Sequence, residues 1–170
     1  MQLYGELYSE DNVIFGDWKA DNSRMLGLIA GLYVPRLSPS GNWDLGLEFA
    51  STGNAWYVHG LYTGGYTYGG QILGDPMGGD AHRYSAKLTH YLDAKTQIGL
   101  RFDRVNQGIS GIYRPVQQRT NALALSLRHR LSNDLLMEFT GGLASRDNAD
   151  FVSGVSKKNK FVGWSISQRF

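Results

Sequence analysis

Asn121-Ala122-Leu123-Ala124-Leu125-Ser126-Leu127-Arg128-His129-Arg130 decides the fold of this chain. Leu123, Leu125 and Leu127 fall on one parity, and Ala124, Ser126, Arg128 and Arg130 on the other. Side chains alternate across a strand, so such a segment has one apolar and one polar face. A helix needs apolar residues three and four apart, which this window does not favour. The same period recurs. Leu45, Leu47 and Phe49 flank Gly46 and Glu48, and Ile98, Leu100 and Phe102 flank Gly99 and Arg101. Leu135, Met137 and Phe139 oppose Glu138 and Thr140, while Val162, Trp164 and Ile166 oppose Gly163 and Ser165. The pattern predicts an all-β chain.

Strands are expected over about 2–10, 25–35, 43–51, 55–62, 82–92, 97–106, 119–131, 134–145 and 159–170. Asp93-Ala94-Lys95-Thr96 and Ser132-Asn133 read as tight turns. The alternate connections, 63–81, 107–118 and 146–158, are long. Short turns at one end and long loops at the other describe an antiparallel transmembrane β-barrel of the bacterial outer membrane. Aromatics near strand ends (Tyr4, Tyr8, Trp43, Trp56, Tyr57, Tyr91 and Trp164) fit interfacial girdles. The terminal Phe170 on an amphipathic last strand resembles the signal read by the outer-membrane barrel assembly machinery. A soluble ligand-binding β-barrel, lipocalin-like with its apolar parity turned inward, shares the alternation and is the alternative.

Composition narrows the classes further. Glycine is 22 of 170 residues, about 13% against a usual level of about 7%. There is no Cys, which removes disulfides, thiolate metal sites and cysteine nucleophiles. The formal net charge of +2 excludes the broad basic field of a nucleic-acid binder. Mean hydropathy is −0.32, and no apolar run approaches the ~18 residues of a membrane helix. The glycines of 64–79 precede neither a Lys-Ser/Thr pair nor a helix, so no phosphate or dinucleotide cofactor motif is present. Gly78-Gly79-Asp80 falls short of a calcium site. The expectation is no cofactor and no metal.

Nine strands is an odd number, whereas bacterial single-chain barrels have an even one. The start, Met1-Gln2-Leu3-Tyr4, has no export-signal character. Residues 1–170 are therefore expected to form one β-barrel domain, a C-terminal fragment of a larger barrel or the product of a truncated gene.

The densest signal lies between Asp44 and Ser85. It runs through Asp44-Leu45-Gly46-Leu47-Glu48-Phe49-Ala50, Trp56-Tyr57-Val58-His59 and Gly64-Gly65-Tyr66-Thr67-Tyr68-Gly69-Gly70. It continues as Gln71-Ile72-Leu73-Gly74-Asp75-Pro76-Met77-Gly78-Gly79-Asp80-Ala81. This stretch resembles the Wzi family of outer-membrane capsule assembly proteins, with Asp75 standing where the family pattern usually has His. Leu3-Tyr4-Gly5-Glu6 and Met25-Leu26-Gly27-Leu28 are similar to the family as well. The resemblance implies a large outer-membrane barrel whose loops plug the lumen, binding capsular or exopolysaccharide at the cell surface without catalysis; this chain would supply the C-terminal half of it.

For that ligand the expected binding residues are aromatic platforms and cations on the long loops. Tyr66 and Tyr68 belong to the first loop, flanked by Tyr62; Tyr113 and Arg114 belong to the second, and Arg146, Lys157 and Lys158 to the third. Each has a plainer reading as a packed loop residue, a solvated charge or a contact to outer-membrane lipid and lipopolysaccharide. An enzyme is disfavoured: His82 and Ser85, three apart in a strand, face opposite ways. His59 meets Asp75 or Asp80 only through loop geometry. A pore for small solutes is the remaining rival, and a plugged lumen argues against it.

Overall fold

The computed structural model describes residues 1–9, 26–57, 67, 68, 71, 72 and 74–168, and the strands within them are antiparallel. They are β1 (Gln2–Ser9), β2 (Leu26–Val34), β3 (Trp43–Thr52), β4 (Thr67–Tyr68), β5 (Gln71–Ile72), β6 (Ala81–Tyr91), β7 (Thr96–Gln107), β8 (Gln118–Arg130), β9 (Leu135–Asp147) and β10 (Ser156–Gln168). Eight of them form one sheet in the order β1-β2-β3-β6-β7-β8-β9-β10, and β4-β5 is a separate two-stranded ribbon. Residues 149–151 make a single 3-10 turn.

Among the described residues the sheet has eight wall strands, where the sequence predicts nine. No strand over 55–57 enters between β3 and β6, which pair directly from Trp43 opposite His90 to Thr52 opposite Ala81. Residues 54–57 are in turns, and 58–62 lie outside the described residues. Tyr57, at φ 65, sits in the left-handed region, which no strand uses. Strands β9 and β10 also run longer than expected, 13 residues each, so the third connection shrinks to 148–155. Connections 92–95 and 131–134 are short as read, while 35–42 has eight residues, as many as 148–155.

Register sorts the side chains. One face carries Leu47, Ala86, Phe102, Leu123 and Leu143 in a single row, and beside it Leu45, Leu88, Leu100, Leu125, Gly141 and Val162. The other carries Glu48, Ser85, Asp103, and Arg101, Lys87. The apolar face is uncovered: Leu125 is 57% exposed and Val162 89%. Among the described residues no large side chain is fully buried. A soluble barrel with its apolar parity inward would bury these residues, each worth about 1.5–3 kcal/mol when removed from water. The apolar band is oblique to the register. The row that begins at Leu7, the last apolar residue of that face before Ser9, reaches β10 at Ser156. The band on β10 starts six residues later, at Val162. That drop of about 20 Å across seven strand spacings of about 4.8 Å means that a level band requires strands leaning by about 30°.

The expected girdle is only partly made. Trp43 and Trp164 lie on the apolar face toward the short turns, with Trp43 stacked on His90 at 4.2 Å. Tyr4 and Tyr91 point to the polar face instead, donating to Glu48 at 3.0 Å and Asp44 at 2.5 Å. Tyr8 shares that face and donates to Glu6. Trp56 and Tyr57 belong to a loop.

The turn after β6 is held by Asp93. Its Oδ1 accepts the backbone N–H groups of Lys95 at 2.6 Å and Thr96 at 2.9 Å. These donors, Lys95 first, hold the carboxyl below its usual range. The folded value is depressed, so its contribution is present above the unfolded value of about 3.9 and is lost as pH falls through the folded one. A carboxyl-carbon NMR titration is expected to give a midpoint for Asp93 below that of an unstructured aspartate. A midpoint at or above the unstructured value overturns the assignment.

Candidate functional site

The glycine-rich segment that follows β5 folds back over the polar face. Asp75 is the anchor: the Arg83 guanidinium donates to both of its carboxylate oxygens at 2.8 Å and to Glu48 at 3.1 Å. Asp75 also receives the Met77 N–H at 3.0 Å, and the Tyr57 hydroxyl accepts the Asp75 N–H at 3.0 Å. Met77 is buried on Ala50 and Ala81, with Ile29 and Val105 alongside. Thr52 donates to the Gly78 carbonyl at 2.7 Å, and Gln107 to the Met77 carbonyl at 2.9 Å. All of these strand residues share the polar face, so segment 74–80 covers part of it.

Three connections meet at the long-loop edge. The Gly53 carbonyl accepts both Trp56 N–H (3.2 Å) and Asp80 N–H (2.8 Å), closing the first. The second is tied on by Asp80, whose carboxylate takes Ser110 N–H and Oγ–H, each at 2.9 Å. Asn148 reaches the Gln117 carbonyl at 2.9 Å, joining the third. Lys157 pairs with Asp150 at 2.5 Å, and this partner holds the Asp150 carboxyl below its ordinary range.

Between them lies a cleft of about 350 Å³, lined by Trp56, Tyr57, Tyr113 and Phe151 with Asn54 and Arg114. That volume is at the lower end of small-molecule sites. Arg114 lies over the Phe151 ring at 3.7 Å from its centroid. Asn54 is 8% exposed, and its buried Oδ1 has no hydrogen-bond partner among the described residues. Such an atom costs about 1–3 kcal/mol unless something donates to it. Aromatic faces, a cation and an unpaired acceptor suit a hydroxyl-rich ligand with apolar C–H faces.

The model of the capsule assembly protein Wzi family matches residues 1–161. The chain belongs to this family. Comparison with curated proteins and with solved structures finds no match. The segment that carried the sequence resemblance is the one anchored by Arg83 on the polar face of this Wzi-family chain. The family is named for capsule assembly rather than for a reaction.

Of the expected binding residues, Tyr113 and Arg114 line the cleft. Tyr68, on β4, is 80% exposed and does not line it. Tyr62 and Tyr66 lie outside the described residues, as do His59 and Phe170. Arg146, Lys157 and Lys158 are strand residues, not loop residues. Arg146 and Lys157 are cross-strand partners on the polar face, and Lys158 points to the opposite face, so the three do not form one site. Ser85 is bonded to Asp103 at 2.6 Å and His82 faces the other way, as their spacing predicts. Asp75 and Asp80 are both committed to structural partners. Sequence reasoning missed Asn54, Trp56, Tyr57 and Phe151 as cleft residues. The turn pair Gly53-Asn54 was the available signal for the first three, and Phe151 carried none.

Proposed function

We propose that this chain is wall and loops of an outer-membrane barrel that binds capsular polysaccharide at the cell surface and aids capsule assembly. The uncovered apolar face would meet lipid. Its oblique band supports this reading, because the lean of about 30° is near the 35–45° tilt of barrel strands. The long loops would then face outward and the short turns the periplasm. Segment 74–80, folded across the polar face, favours a partly plugged lumen over an open solute pore.

The observation that carries the ligand reading is the cleft where the three long connections meet. A pyranose ring would lay its C–H face on Tyr113 or Trp56, one of its hydroxyls would donate to Asn54 Oδ1, and Arg114 would take a uronate or other acidic group. Calorimetry with purified capsular polysaccharide fragments is expected to show binding that Tyr113→Ala weakens by about ten-fold, the worth of about 1.4 kcal/mol. Asn54→Leu fills the acceptor position with an apolar group and is expected to weaken binding similarly while the fold persists. Unaltered affinity in both variants sinks the assignment.

A further inference from the structure

Charge is divided unequally between the two faces of the sheet. On the polar face the cations largely have anions to meet: Arg83 has Asp75 and Glu48, Arg101 has Asp103, and Arg128 has Glu138. On the apolar face the strands carry four formal cations, Arg104, Arg119, Lys158 and Lys160, against one carboxylate, Asp147. Arg104, Lys158 and Lys160 make no ion pair or hydrogen bond among the described residues.

Their positions are not scattered. Each lies one or two same-face places beyond the apolar band, toward the long loops. Arg104 follows Phe102 on β7, Arg119 and Asn121 precede Leu123 on β8, and Lys158 and Lys160 precede Val162 on β10. Arg104, Asn121, Ser145 and Lys158 form one register row, so the row spans three strand spacings, about 14 Å. Lys160 sits about 7 Å along β10 from Lys158. At the short-turn end the same face has no such charges and ends in Trp43, His90, His129 and Gln168. One same-face place below the Lys160–Leu143 pair, where Gly141 lies opposite Val162, the missing side chain of Gly141 leaves a dent of about 530 Å³ among Leu125, Leu127, Phe139 and Val162.

We propose that this face binds a phosphorylated glycolipid of the leaflet on the long-loop side, a lipopolysaccharide-type molecule. Its headgroup phosphates rest on Lys158, Lys160 and Arg104. One of its acyl chains lies in the dent above Gly141. Unpaired cations at a lipid boundary are costly to leave partly desolvated, and an anionic headgroup at that depth compensates them. The dent accounts for the apolar part of the same molecule, and Asn121 and Ser145 offer hydrogen bonds to its sugar hydroxyls. The inference rests on the reading that the apolar face meets lipid, and it is independent of polysaccharide binding in the cleft.

The test is native mass spectrometry of the detergent-released full chain, titrated with purified bisphosphorylated lipopolysaccharide core glycolipid. Its enzymatically dephosphorylated form and a zwitterionic phospholipid serve as comparisons. Wild type is expected to retain the phosphorylated form at least about ten-fold more than either. Arg104→Gln/Lys158→Gln/Lys160→Gln is expected to lose that preference, and Lys158→Arg/Lys160→Arg to keep it. Heat-modifiable gel migration reports that each variant is folded. Equal retention of the phosphorylated and dephosphorylated forms, or a triple variant with undiminished preference, overturns the inference. Failure of wild type to associate with detergent or neutral vesicles instead removes the lipid-facing reading beneath it.

Discussion

Gly79→Val is expected to abolish polysaccharide binding while leaving the strand wall intact. A Cβ at position 79 would stand 2.2 Å from the Trp56 carbonyl oxygen, 3.2 Å from its carbon and 3.4 Å from the Gly53 oxygen. These are backbone atoms, so no rotamer change relieves the clash. The two segments must separate by about an ångström or more, since overpacking is relieved only by backbone movement. Separation breaks the bond from Asp80 N–H to Gly53 and loosens the Asp80 grip on Gly108 and Ser110. Trp56 and Tyr113 then lose their common frame. Summed, overpacking at about 1–3 kcal/mol and two hydrogen bonds at about 1 kcal/mol each exceed what a shallow cleft can absorb. Gly163→Ala is the matched control, because a Cβ there meets nothing within 4 Å. Capsular polysaccharide binding to vesicle-inserted protein is expected to fall beyond detection for Gly79→Val and to stay at wild-type level for Gly163→Ala. Wild-type binding by Gly79→Val would remove the cleft from the function.

The same glycine illustrates what was legible in the sequence. Period-two alternation marked β3, β7, β8, β9 and β10, because a sheet with two unlike faces must write both into consecutive residues. It failed at Trp56-Tyr57, which follows the turn pair Gly53-Asn54 and lies in a turn. Here backbone closure on the Gly53 carbonyl overrides side-chain pattern. It also ended β10 too late at its N-terminal side. Lys157, Lys158 and Lys160 have poor strand propensity and read as a solvated loop. The strand nevertheless extends past the apolar band, where both faces tolerate charge. On the proposed membrane reading, strands of 13 residues exceed the 9–11 needed to cross hydrocarbon, and the extra length would be polar.

Cleft residues were less legible, for a different reason. Tyr113 and Arg114 stood out as an aromatic and a cation on a long loop. Phe151 joins them only because Asn148 and Asp150 adopt left-handed backbone around the 3-10 turn and bring it under Arg114. Nothing in local composition encodes that meeting. Asp75 illustrates the opposite case: the motif was visible, but its partner, Arg83, lies across a strand face eight residues later and has no spacing signature.

Arg83→Met is expected to release segment 74–80 from the polar face. The guanidinium bridges Asp75 and Glu48, with side chains 19%, 24% and 32% exposed for Arg83, Asp75 and Glu48. Its removal leaves two carboxylates facing one another with Tyr4 as the remaining donor to Glu48. Breaking a fully buried pair from one side costs about 3–5 kcal/mol. Partial exposure and solvent screening reduce this to about 2–3 kcal/mol, still enough to detach a loop seated mainly by Met77. Hydrogen exchange at the Met77 and Asp80 amides is expected to accelerate by about thirty-fold or more, while amides of β8 and β9 are unchanged. Arg83→Lys recovers only part of the protection, since one ammonium cannot match the two-oxygen grip on Asp75 and reach Glu48 as well. Removing one of the stranded charges, as in Arg83→Met/Asp75→Asn, recovers more than the sum of single effects allows, because the repulsion belongs to the pair. Equal exchange in wild type and Arg83→Met would mean that Met77 burial and the Thr52 and Gln107 bonds hold the segment without the ion pair.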